Sequence, residues 1–100
     1  MKFIYTPALL TYMKEKNRRH LSLEVASSAH SDFEVTELYL RLVSDKDATF
    51  LETRKHYHCV TTEVGKVLLP PYRLVYDETI TFDVKRYWIF TRLIFKGIRL

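Results

Sequence analysis

The sequence is short of the residues that most catalytic loops and linkers are built from. Two of its 100 residues are glycine and three are proline. So little glycine leaves no phosphate-cradling loop and no run of glycine amides for an oxyanion hole. The same scarcity argues against long disordered or low-complexity stretches. Cys59 is the one cysteine, so no disulfide can close within the chain. A reducing compartment is the simpler expectation, and neither Cys-x-x-Cys nor His-Glu-x-x-His spacing occurs. No apolar run approaches the roughly 18 residues of a membrane span, and Arg92 interrupts the best candidate. The opening ten residues are too weakly apolar for a secretory leader before charge returns at Lys14. The expectation is a cytoplasmic protein with no membrane among its partners.

What is present reads as one globular domain over residues 1–100, with 47% apolar and 28% charged residues. The net charge of +4 is unevenly spread. Lys2, Lys14, Lys16, Arg18 and Arg19 crowd the start against Glu15 alone. Asp32, Glu34, Glu37, Asp45, Asp47 and Glu52 gather in the middle, and the C-terminal half is basic again. Such asymmetry suits an acidic partner or head-to-tail association of copies.

The patterning predicts mainly β structure with one N-terminal α-helix, an α+β barrel or sandwich of about seven mixed short strands. Lys2 to Tyr5 reads as a strand. Thr6 is a good N-cap and Pro7 suits the first helical position. Leu9, Tyr12 and Met13 form a narrow apolar stripe, basic residues crowd the helix end, and Asn17 can close it in a left-handed conformation. His20 to Ala26 alternates, with Leu21, Leu23 and Val25 inward and Ser22 and Glu24 outward. A polar loop is expected over 27–32, then a strand from Val35 to Val43 pairing antiparallel with the one before it.

Ser44 to Asp47 has the composition of a turn. Thr49 to Arg54 fits a strand or irregular chain, and His56 to Thr62 a strand. Glu63 to Lys66 reads as a hairpin connection leading to a short strand stopped by Pro70-Pro71. Tyr72 to Tyr76 fits a short strand or one helical turn, and Asp77-Glu78 a reversal. The closing run from Thr79 reads as two strands joined at the charged Lys85-Arg86 corner. Tyr87 to Phe95 is apolar on both faces, the pattern of a central, doubly covered strand with Trp88 packed inside.

His56-x-His58-Cys59 is the most chemical-looking cluster. In a strand, His56 and His58 would share a face about 6.5–7 Å apart, which suits two ligands of one metal. Cys59 would point away, and a third donor would come from His20, His30 or a carboxylate. Two histidines on a wet strand face with a small core thiol explain the same residues. A Cys–His dyad is ruled out by opposite facing, no Ser–His elbow exists, and the paired Asp45 and Asp47 sit in exposed chain. The expectation is therefore a protein that is not an enzyme. Lys85-Arg-Tyr-Trp88 with Arg92, Lys96 and Arg99 mixes basic and aromatic residues as single-strand nucleic-acid modules do. The low net charge weighs against that use.

Phe3-Ile-Tyr-Thr-Pro-Ala-Leu-Leu-Thr-Tyr-Met-Lys-Glu-Lys, Leu21-Ser-Leu-Glu-Val-Ala, Thr81-Phe-Asp-Val-Lys-Arg and Leu93-Ile-Phe-Lys-Gly-Ile stand in an order that resembles the HesB/IscA-like family. These are the A-type iron–sulfur cluster biogenesis domains; the short relatives with a Cys-Cys or selenocysteine motif are more similar still. The resemblance implies a small HesB-like domain. It also implies a ligand cysteine after the early strand and a Cys-x-Cys near the end. Here those stretches are Ser27-Ser-Ala-His-Ser-Asp32 and Lys96-Gly-Ile-Arg-Leu100, which carry no cysteine. The combined expectation is a non-catalytic HesB-like domain without its own cluster, acting through a protein partner or as a homo-oligomer. Two alternatives stay open: an iron–sulfur cluster or divalent metal held through His56, His58, Cys59 and His30, and a small basic β module for single-stranded nucleic acid.

Overall fold

The computed structural model describes the backbone of residues 1–30 and 33–100. Seven strands and two helices follow the order β1 (Lys2–Tyr5), α1 (Pro7–Glu15), β2 (His20–His30), β3 (Phe33–Val43), α2 (Asp45–Arg54), β4 (His58–Thr61), β5 (Lys66–Leu69), β6 (Val75–Tyr87) and β7 (Phe90–Arg99). The strands form two separate sheets and no closed barrel. One has the order β1-β6-β7, the other β3-β2-β5-β4. β1 runs parallel to β6 and β2 parallel to β5; the other pairs are antiparallel.

The main core lies between the inner faces of the sheets. Leu21 and Leu23 of β2, Val67 and Leu69 of β5, and Ile80, Phe82 and Val84 of β6 meet there with Leu9 and Met13 of α1. Among the described residues Phe82 is the largest fully buried side chain, stacked by Phe3 and met edge-on by Tyr5. α1 begins and ends as its sequence predicts. The Thr6 hydroxyl accepts from Leu9 N–H (3.3 Å) and donates to Asp83 of β6 (2.6 Å), pinning the helix start to the sheet. At the far end Asn17 adopts φ 53, while Arg18 N–H reaches Met13 O and Asn17 N–H reaches Lys14 O. That double bond pattern about a left-handed residue closes many helices.

The second helix overturns the expectation of a turn at Ser44–Asp47 and a strand or irregular chain at Thr49–Arg54. Ser44 is the N-cap, accepting from Asp47 N–H at 3.1 Å, and Asp45 and Asp47 suit the positive end of the helix dipole. α2 covers the outer face of the four-stranded sheet, where Ala48 and Leu51 pack with Val43 and Leu68. That placement corrects a further expectation. Ser22 and Glu24 do point away from the main core, yet both are buried on this second face.

Three other readings change. The polar loop at 27–32 is strand through His30, paired in register from His20↔Val43 to His30↔Phe33; Ser31 and Asp32 lie outside the described residues. Asp77-Glu78 is an irregularity inside β6, where four residues oppose Gly97 alone between the Tyr76↔Ile98 and Thr81↔Lys96 pairs. Gly97 makes this possible with φ +98 and a place for a Cβ only 2.5 Å from Thr79 O. The two-faced central strand does not exist. β6 continues through the Lys85-Arg86 corner, the chain reverses at Trp88-Ile89, and β7 is an edge strand. Central position belongs to β6, held by β1 on one side and β7 on the other.

Candidate functional site

The residues singled out as possible ligands are dispersed. His56 lies ahead of β4 in a left-handed conformation (φ 58), where the chain leaves α2 and Tyr57 N–H reaches back to Leu51 O. It is therefore outside the strand, and the expected same-face pair of His56 and His58 does not form. His58 opens β4 opposite Leu69, exposed. Cys59 faces the other way, against Val43, Ala48, Leu51 and Leu68. Burial raises the pKa of its thiol, and the neighbouring Glu52 carboxylate adds to the rise. A thiol kept protonated is a poor nucleophile and a poor soft ligand.

His30 ends β2, and its side chain lies outside the described residues. The rung of His58 falls one step past the Ser22↔Leu68 pair. His30 is seven residues further along β2, roughly 23 Å of extended chain. Among the described residues no three of His, Cys, Asp and Glu are grouped to hold a metal ion.

His20 is committed elsewhere. Its Nδ1 accepts from Lys66 N–H at 2.9 Å, which fixes the proton of the neutral ring on Nε2. Nε2 donates to Asp45 at 2.5 Å. The histidine thus ties β2, the start of β5 and the start of α2 together. That bond, with the Arg19 guanidinium nearby, holds the Asp45 pKa below the usual carboxylate range. Gly65 is required at this junction, because a Cβ there would stand 2.0 Å from Arg19 O.

On the face that α2 covers lies a second polar network, centred on Glu24. Glu24 is 8% exposed. Its Oε1 accepts from Ser22 Oγ (2.7 Å) and Arg41 Nε (3.0 Å), and its Oε2 accepts from Tyr57 OH (2.5 Å). Burial pushes the carboxyl upward, but the hydrogen bonds from Tyr57, Ser22 and Arg41 outweigh it and the pKa lies below the ordinary value. Desolvation and the Glu24 carboxylate both drive the Tyr57 pKa up. Every oxygen of Glu24 is used, so the network is a structural tie between β2, β3 and the segment after α2.

Two surface features remain. A cleft of about 580 Å³ between the end of α1 and the start of α2 is lined by Lys14, Arg18, Arg19 and Lys46, with Asp45 on its wall. The β6–β7 ribbon ends in an apolar tip. Tyr87 pairs with Phe90 across the two-residue turn Trp88-Ile89. Trp88 is 102% exposed, Ile89 97% and Phe90 62%. Trp88 holds φ 47, a conformation that glycine or asparagine fills at ease and that costs another residue about 1–2 kcal/mol. The expectation of a packed tryptophan is overturned. Burial gives no reason for a bulky residue in this strained conformation. No sequence rule marked this turn, since residues 87–90 contain neither glycine, proline, asparagine nor aspartate.

No family model matches the sequence. No curated protein matches it either. The fold is similar to the crystal structure of Escherichia coli SufA, described as involved in biosynthesis of iron–sulfur clusters. The TM-score is 0.55 at 15% identity, over 96% of this chain and 80% of SufA. At that identity the likeness is one of fold: this chain is a small α+β domain with the architecture that SufA also has.

Proposed function

We propose that this chain is a HesB-like domain related to the iron–sulfur cluster biogenesis proteins, that it performs no catalysis and holds no cluster of its own, and that it works through contacts with a protein partner or a second copy. The relation rests on the SufA-like fold. Contact as the mode of action is supported by the cleft between α1 and α2, where Lys14, Arg18, Arg19 and Lys46 line a surface suited to an acidic protein partner. The donor set supports the lack of a cluster. One partly buried thiol per chain falls short of the cysteines that hold such clusters.

The test is anaerobic loading of the purified chain with iron and sulfide, followed by desalting, visible absorption and elemental analysis. The expected product is colourless, with iron well below one atom per chain. A brown product that keeps iron and sulfide through desalting, and loses them in a Cys59→Ser variant, overturns the reading in favour of cluster binding. Salt-sensitive retention on single-stranded DNA overturns it in favour of a nucleic-acid module.

A further inference from the structure

We propose that the β6–β7 tip is an attachment point for anionic lipid surfaces, with Trp88, Ile89 and Phe90 entering the headgroup region and Lys85 and Arg92 binding lipid phosphates. The inference does not depend on whether the chain carries a cluster. It starts from the register: Tyr87↔Phe90, Arg86↔Thr91 and Lys85↔Arg92 are successive rungs below the turn. The apolar residues occupy the outermost positions, and a cationic rung lies three residues back, about 10 Å along the ribbon. An apolar face inserted at the boundary of headgroup and acyl chain sits about 5–10 Å deep, with basic residues at the phosphate level.

Charge makes the case more specific. Lys85 and Arg92 stand directly opposite each other, and like charges in that relation destabilise a strand pair. Asp83 is the last acidic residue in the chain. Arg86 is paired with Glu15 and Arg99 with Asp77, whereas among the described residues Lys85 and Arg92 form no ion pair, Lys85 acting only at longer range on the Asp83 carboxylate. An anionic surface would turn this repulsion into shared attraction. The same repulsion opposes a symmetric tip-to-tip dimer of this chain.

Shape separates a bilayer from the other acceptors. Trp88 and Ile89 at the turn are almost wholly exposed, which suits a soft medium that closes around them. Ile89, as exposed as Trp88, cannot stack on a base and gains nothing from single-stranded nucleic acid. Tryptophan is also a residue favoured at membrane interfaces. No helix among the described residues is long and apolar enough to cross a membrane, and surface attachment of this kind requires none.

Trp88 is the one tryptophan, so its emission reports the tip alone. The experiment titrates the full chain with vesicles of phosphatidylcholine and of a phosphatidylcholine–phosphatidylglycerol mixture, following Trp88 emission and flotation. The expected result is a blue shift and co-flotation with the anionic vesicles, reversed by salt. Acyl-chain-brominated lipid should quench the emission. Lys85→Gln with Arg92→Gln should weaken partitioning about 25-fold, each basic residue near the surface contributing about fivefold. Ile89→Ser should weaken it while leaving the unfolding curve unchanged. Unshifted emission with anionic vesicles overturns the proposal, whether or not the protein binds single-stranded DNA or an acidic protein. Equal binding to neutral vesicles, or flotation without quenching, overturns it as well.

Discussion

Replacing Glu24 by glutamine should cost this domain about 2–3 kcal/mol. The carboxylate receives three hydrogen bonds, from Ser22, Arg41 and Tyr57. Hydrogen bonds to an ionised group contribute about 1.5–3 kcal/mol each, and they do not add fully when they share one acceptor. Glutamine keeps one acceptor oxygen for Ser22 and Arg41 but turns an amide toward the Tyr57 hydroxyl. It also leaves the Arg41 guanidinium without its counter-charge. Against this stands relief of the desolvation cost of the carboxylate, which brings the net loss to the stated range. For a domain of this size the change lowers Tm by about 10–20 °C. The assay is chemical and thermal unfolding of the parent, Glu24→Gln, Tyr57→Phe and the double variant, with Glu37→Gln as an exposed control from the neighbouring strand. A coupling of about 1 kcal/mol or more between Glu24 and Tyr57 is expected. A Glu24→Gln loss of less than about 0.5 kcal/mol, equal to the control, would show that the network is not formed and that α2 does not bury this face.

Acid should expose the same carboxylates. Glu24, Asp45 and Asp83 all have folded pKa values below their ordinary ones, Asp83 through the Thr6 hydroxyl and Val84 N–H. Their contribution is complete above the unfolded carboxylate range and is lost as pH falls through the folded values, where the unfolded chain binds more protons. Unfolding measured from neutral pH down to pH 3 should show that decline, flatter in Glu24→Gln. Gly97→Ala forces a Cβ toward Thr79 O at a residue with φ +98 and should cost about 1–3 kcal/mol in a denaturant titration. A neutral result there would place the β6 irregularity elsewhere. Ser44→Ala should remove about 1 kcal/mol with the cap of α2, seen as faster amide exchange in that helix. Trp88→Asn should leave stability unchanged or raise it by up to about 1 kcal/mol, since asparagine tolerates the left-handed turn; a clear loss would mean the tryptophan packs after all.

The second helix shows how legibility fails. Ser44 to Asp47 reads as a turn and Thr49 to Arg54 as strand or irregular chain, because Asp, Lys and Thr are frequent there and the apolar stripe is only Ala48 and Leu51. The signal that could have found it is Ser44 followed three residues later by Asp47, a capping pattern whose hydrogen bond the structure contains. The consequence reaches Ser22 and Glu24: alternation in β2 tells which side of the sheet a residue faces but not what covers that side. Alternation with His58 places His56 in a strand, while its backbone is spent on leaving α2. The ligand cluster was thus a product of one-dimensional spacing.

By itself the sequence determined the elements whose causes are local. Thr6, Pro7 and Asn17 set the bounds of α1; the alternation of Leu21, Leu23, Leu38, Leu40 and Leu42 set two paired strands; Gly65 and its neighbours set a hairpin between β4 and β5. Capping, φ preference and strand period act over a few residues, so they can be read over a few residues. Only the tertiary structure decided which apolar residues are covered. Ile80, Phe82 and Val84 are buried because β1, α1 and the facing sheet reach them. The same ribbon then continues past its neighbours, and the equally apolar Trp88, Ile89 and Phe90 stand in solvent. Burial is a property of what lies opposite, and the residues that lie opposite come from distant parts of the chain.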